Sequence, residues 1–375
     1  MEDWSFWSVA IGGGIVGGLV GAFAESLLTH WLENRREKRR EKVHLIDLAR
    51  NWIELGHPDK FRYANLRGAD LRNIELPNAD LAYADLRRVK LGKARLTGAC
   101  LVESNLARAD LREVRLSHAN LAGADLRRAN LVKAELHRAN LCNAKINHST
   151  QIEDKWRVVW EITTQGAAGR DLRGLDLSNA DLHEAELEGA NLAGANLSAS
   201  DLRGAILRKA DLRGARLDSA MLEGADLSGS DLRGASVISN LGHVNLQGAR
   251  LNERTRIGDR WKLVWRVATK GVTEQELIQA ELQNAYLKGV DLSGLDMTQV
   301  YLDHANLQGA NLRGTILRKA YLPETDLTHA DLEGADLTDA VLRKVNLLGA
   351  KVTDDQLDSA KTLERAIMPD GSEHR

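Results

Sequence analysis

The sequence predicts an all-β solenoid: a quadrilateral β-helix behind an N-terminal transmembrane helix, with two short Trp-containing helices inserted in it and a cap at each end. Three observations carry this. From Leu66 onward a leucine recurs at every fifth position, through Leu71, Leu76 and Leu81 to Leu141, then Ile146. The residue two before each is usually Ala (Ala64, Ala69, Ala79), and the one just before is usually Asp or Asn (Asn65, Asp70, Asp80). Aromatic residues make up 4% of the 375, too few for an ordinary globular core, so the interior is built from something small and uniform.

A period of five fits neither the helical 3.6 nor the strand period of 2. A five-step leucine row would spiral around an α-helix instead of forming one face. It does fit a chain that turns a square corner every five residues. Each side then points one Leu and one Ala inward, and four sides close a coil of about 20 residues stacked at roughly 4.8 Å. Asp or Asn before the Leu serves the corner, because its side chain bonds nearby backbone amides. Gly after the Leu accepts backbone angles that a bulky residue resists.

Residues 4–32 read as a transmembrane or anchor helix. Trp4 to Ala24 carry no charge, and these 21 residues, at about 1.5 Å each, just span a hydrocarbon core of roughly 30 Å. Trp4, Trp7 and Trp31 flank the stretch like an interfacial belt. Gly13, Gly17 and Gly21 form a row of small residues at helical spacing, which suggests self-association in the bilayer. A cleaved signal peptide is the main rival, and a buried or oligomer-forming soluble helix is the other; the leader Met1-Glu2-Asp3 is acidic where a signal peptide is basic. The basic run Arg35, Arg36, Lys38, Arg39, Arg40 and Lys42 follows the apolar stretch and places what comes after it in the cytoplasm. Residues 33–58 read as a basic juxtamembrane and capping helix, whose apolar face Leu45, Leu48, Ala49, Trp52 and Ile53 would hide the open first coil.

The repeats form three blocks, 62–149, 170–252 and 275–352. The second slips by one residue at Ser239-Asn240, and the third has Met297 in place of one leucine. Two inserts, 152–166 and 257–271, are copies of each other. Trp156, Val159, Trp160 and Thr163 share one helical face, and Trp261, Val264, Trp265 and Ala268 match them. Asp154 and Asp259 are expected N-caps, and Gly166 and Gly271 suit the position just past the helix. The four tryptophans Trp156, Trp160, Trp261 and Trp265 either pack on the coils or offer a docking site to a partner. Residues 353–375 form the C-terminal cap and tail, with Leu357–Ile367 as the cap.

The recurring Ala69-Asp70-Leu71 and Gly224-Ala225-Asp226-Leu227 pattern, repeated dozens of times over roughly residues 62–352, resembles the pentapeptide-repeat family. The tail from Leu357 through Pro369-Asp370-Gly371 is similar to the closing segment of many members. The resemblance implies a right-handed β-helix and a mostly bacterial distribution, and it implies an interaction surface instead of a chemistry. A few members of the family bind DNA gyrase by imitating DNA.

No constellation for catalysis, a cofactor or a metal is legible. Two cysteines, Cys100 and Cys142, make no disulfide framework and are expected to be free thiols. His118, His304 and His329 fall two after a central Leu and so point outward. The chain is therefore expected to be no enzyme. It reads as a membrane-anchored, cytoplasm-facing scaffold for an unknown protein partner. It is held in the membrane through residues 4–24 as a single-pass protein, assembles as a homo-oligomer through that helix, and binds no nucleic acid. The rival is a DNA-mimicking gyrase modulator. Mimicry needs a dense negative surface, whereas the net charge is -2 and Asp and Arg interleave, as in Asp211-Leu212-Arg213. A weaker alternative makes the solenoid the regulator of a pore formed by its own Gly-rich helices. Tyr301 and Tyr321, 20 residues apart and each just before a central Leu, are expected to stack one coil apart.

Overall fold

The computed structural model describes residues 61–374. Ahead of them it describes Glu33, Asn34, Glu37, Arg40, Val43, His44 and Asp47, which are helical and exposed. The segment 4–32 with Gly13, Gly17 and Gly21, and the apolar face expected on the 33–58 helix, lie outside the described residues. Among the described residues no helix is long and apolar enough to cross a membrane.

The five-residue side is a β-turn followed by a single bridging residue. In the side that starts at Leu66, the Ala69 N–H donates to the Leu66 carbonyl (3.0 Å), and Gly68 between them has φ 65°. A positive φ at the third turn residue is the signature of a type II turn, which favours Gly or Asn there. The chain keeps this geometry even where the residue has a side chain: Asn73, Lys93, Glu103 and His118 have φ of 53° to 61°. The residue before each Leu pairs in parallel with its counterpart one coil away, as Asp85 does with Asn65 and Asn105. Because side chains at 20-residue intervals sit over one another, the coil length expected from the five-step pattern is the observed one. Leu and Ala fill the interior; Leu76, Leu96, Ala79 and Ala99 have no exposed surface.

The chain forms two compact units. One comprises the residues up to Leu116 with Ala124–Ala134 and Lys145–Gln151. The other comprises Ser117–Gly123, Glu135–Ala144 and everything from Ile152 on. Both obey the same coil rule. In the second unit the one-residue slip near Ser239 shortens the pairing step: Asp226 pairs with Asn245 and Asp231 with Arg250, and the short strands Ser236–Val237 and Arg256–Ile257 pair in parallel. Tyr301 and Tyr321 are bridge partners, their rings 6.2 Å apart.

Helices occupy Asp154–Gln165 and Asp259–Thr269. Their N-caps are Glu153 and Gly258, one residue before the expected Asp154 and Asp259, and neither cap bonds through a side chain. The two aspartates sit in the first turn, where a carboxylate still complements the helix dipole. Gly166 (φ 73°) and Gly271 (φ 77°) follow the helices in left-handed backbone.

The second unit closes with a helix over Asp354–Asp358, fixed by a capping box between Thr353 and Gln356. The tail then lays down one more run of bridges, Val341 with Thr362 and Asn346 with Ile367, and folds back so that Glu373 pairs antiparallel with Ile367. Filling the last coil's edge in this way hides backbone groups that would otherwise recruit another strand.

Candidate interaction surface

The outward surface is built from three kinds of side-chain arrangement. The first is local. Where the repeat reads Asp-Leu-Arg, the Asp Oδ1 accepts from the backbone N–H two residues on, and that same Arg closes a bidentate bridge. At Asp110 and Arg112 the Nε–Oδ1 and Nη2–Oδ2 distances are 2.8 and 2.7 Å. The same clamp joins Asp70–Arg72, Asp85–Arg87 and Asp125–Arg127 in the first unit. In the second it joins Asp171–Arg173, Asp201–Arg203, Asp211–Arg213 and Asp231–Arg233. Hydrogen bonds from Arg72 hold the Asp70 carboxyl at about 2. Exposed pairs of this kind contribute about 0–1 kcal/mol each. Their larger effect is on the field, since each cancels a carboxylate where it stands.

The second arrangement runs between coils. Arg208 bridges to Glu188 (2.9 Å), Lys351 to Asp331 (3.0 Å), and Glu324 sits between His304 (3.4 Å) and Lys344 (2.9 Å). Signs alternate along these columns, which suits side chains stacked directly over one another. Tyr63 and Tyr83 stack with centroids 5.0 Å apart, and the Arg62 guanidinium lies 5.9 and 5.6 Å from them.

The third arrangement is at the interruptions. A regular coil satisfies each inward Ala carbonyl with a backbone N–H 21 residues on, as Lys145 does for Ala124 (2.8 Å). Where a helix replaces that strand, a side chain takes over. The Trp160 indole N–H donates to the Ala144 carbonyl (2.6 Å) and the Trp265 indole N–H to the Ala249 carbonyl (2.7 Å). Ahead of each helix, Thr150 and Thr255 donate their hydroxyls to the Leu126 and Leu232 carbonyls, both at 2.9 Å. At the last interruption Gln356 Nε2 serves the Ala335 carbonyl (2.7 Å). Trp156, Trp261 and Trp265 are buried and Trp160 half-buried, with Val159 and Ile162, and Val264 and Val267, beside them. Thr163 and Ala268, expected on the packing face, are half-buried, and Thr163 bonds back to the Val159 carbonyl (3.0 Å).

Charge is not spread evenly, which a whole-chain total conceals. Residues 61–151 hold 16 Lys plus Arg against 9 Asp plus Glu, whereas residues 152–375 hold 27 against 35. The signal was available from a count per block. His118, His304 and His329 are exposed. Cys100 and Cys142 are free thiols, and burial pushes the Cys142 thiol up. Among the described residues no group of His, Cys, Asp and Glu is placed to hold a metal ion.

The coil, the type II corners and the Leu and Ala columns are matched by the family model for pentapeptide repeats over residues 60–98, 90–126, 109–147, 168–198, 195–234, 280–318 and 320–354. The chain belongs to the pentapeptide-repeat family, and its solenoid is the right-handed β-helix of that family. Among solved structures it is similar to HetL of the cyanobacterium Nostoc, a pentapeptide-repeat protein involved in heterocyst differentiation regulation. The identity is 27%, covering 87% of this chain and 97% of HetL, with a TM-score of 0.25. A second Nostoc pentapeptide-repeat protein is 35% identical over 28% of this chain and 82% of its own, with a TM-score of 0.24. QnrB1, a plasmid-mediated fluoroquinolone resistance protein, is 16% identical over 54% of this chain and 95% of its own, with a TM-score of 0.17. Overlays this loose carry no function from one chain to another. No curated protein matches this chain.

Proposed function

We propose that the chain is a membrane-tethered pentapeptide-repeat scaffold whose flat outward faces bind another protein. The tether is the uncharged stretch Trp4–Ala24, followed by the basic run Arg35–Lys42 that holds the repeats on the cytoplasmic side. The observation that carries the scaffold reading is the outward surface itself. Its side chains stand in columns repeated at the coil step, each mostly paired with a neighbour, so it presents a long patterned plane instead of a reacting cluster. The Gly13, Gly17 and Gly21 row gathers copies in the bilayer, and several parallel planes then raise avidity for a shared partner through effective concentration.

DNA mimicry fits this surface less well. A mimic must offer unpaired negative charge in place of phosphates, whereas eight aspartates are clamped by their own arginines. The pore-regulator reading rests wholly on the N-terminal glycines. Crosslinking in host membranes tests the scaffold. The full chain should crosslink to itself and to a partner protein, and Gly17→Leu should stay membrane-bound yet lose both adducts. A full chain that is monomeric in the bilayer before any substitution contradicts the mechanism.

A further inference from the structure

Arg88, Arg108 and Arg128 stand one above another on three successive coils of the first unit, each two residues after a central Leu. All three are exposed, with φ of 57°, 62° and 63°. This is an unfavourable choice twice over. Left-handed backbone resists a long side chain, and three like charges about 4.8 Å apart repel. Other long side chains take this left-handed position too, and several of them meet an opposite charge there. Lys93 pairs with Glu113 on the next coil (3.8 Å) and Lys344 with Glu324 (2.9 Å). A run of turns in the second unit places Gly174, Gly194, Gly214 and Gly234 at the same position. The carboxylates on the arginine face, Asp85 and Asp125, are already clamped by Arg87 and Arg127. Among the described residues no ion pair to Arg88, Arg108 or Arg128 is formed. A column that the fold disfavours and does not neutralise is suited to an external anion.

We infer that this face of the first unit lies on an anionic lipid surface. The inference rests in part on the tether proposed above, since the first unit is the part of the solenoid that follows the apolar and basic N-terminal segments. The face is a plane of several arginines, the form that meets a sheet of headgroups. Nucleic acid is a poorer match: among the described residues of this unit the exposed aromatics, Tyr63 and Tyr83, stack on each other one side away from the arginines. Juxtamembrane cations attract anionic leaflets and fade with salt over a Debye length. The acidic remainder of the chain gains nothing from the same surface, which fixes the part that docks.

The test uses full-length protein with vesicles of phosphatidylcholine alone or mixed with phosphatidylglycerol. The variant carries Arg88→Gly, Arg108→Gly and Arg128→Gly together, residues the left-handed turns accept, so the fold is kept while the charge is lost. Wild type should prefer the anionic vesicles at low salt, and the variant should lose roughly tenfold or more of that preference without melting earlier. In carbonate-resistant protein, phosphatidylglycerol should also slow phenylglyoxal modification of the three arginines. An unchanged lipid preference together with unslowed modification, a lower melting temperature in the variant, or displacement of wild type from anionic vesicles by duplex DNA would each overturn the inference. Loss of carbonate resistance in both vesicles, with the anionic preference intact, removes the tether and leaves the arginine face standing.

Discussion

Trp265→Phe isolates what the inserted helices do for the solenoid. Trp265 is 6% exposed and its indole N–H is the donor to the Ala249 carbonyl. Phenylalanine keeps an aromatic ring in the site but brings no donor. The smaller ring forfeits about 1 kcal/mol of buried area, and the stranded carbonyl adds about 1–3 kcal/mol, giving about 2–4 kcal/mol in all. Trp261→Phe is the control: that ring is also buried, with the Arg260 guanidinium 4.5 Å from its centroid. It should cost about 1 kcal/mol, because a phenyl ring still packs and still faces the cation. Repeat arrays can unfold piecewise, so hydrogen exchange over residues 246–270 is the better assay, with melting temperature alongside. Trp265→Phe should open that region well before Trp261→Phe does. Equal effects would show that the indole acts by volume, and that the helix does not complete the coil through its N–H.

Three further outcomes follow from the same geometry. Leu212 is fully buried, so Leu212→Asp should cost several kcal/mol and unfold the local coils, while Arg213→Ala, losing an exposed clamp, should leave the melting temperature nearly unchanged; equal melting temperatures would reverse the inside and outside assignments. The Ser104 hydroxyl is buried in the alanine column without a hydrogen-bond partner, so Ser104→Ala should stabilise by about 1 kcal/mol in thermal unfolding, and a loss of stability would contradict that reading. The clamped aspartates are depressed in the folded state, so their contribution is fully present above the ordinary carboxylate range and is lost as pH falls through the folded value. For Asp70 that window runs from 3.8 down to about 2, and an acid titration should show stability flat above it and falling inside it; a decline centred near neutral pH would point to other groups.

The coil was legible because its cause is local and repeated. One Leu, one Ala and one Asp or Asn per side state the turn, the corner bond and the core all at once, and dozens of copies leave no competing period. Tyr301 and Tyr321 could be paired from the 20-residue step alone. The slip at Ser239 was legible for the same reason. The helix starts were read one residue late, because an Asp before an apolar face looks like a cap, whereas Asp154 and Asp259 already lie in the first turn. The purpose of the second tryptophan in each insert was hidden. Its helical spacing announces packing, but the carbonyl it satisfies lies 16 residues earlier in sequence and one coil away in space. The arginine column was concealed differently: a chain-wide balance near zero averages a basic first block with an acidic remainder.

The tether is the claim on which the proposed function turns, and fractionation of host cells tests it most directly. The full chain should sediment with membranes and resist carbonate. A chain lacking residues 1–32 should appear in the soluble fraction with the circular dichroism of an intact β-helix. A full-length protein that fractionates with the cytosol would contradict the account, leaving a pentapeptide-repeat solenoid with no membrane to hold it.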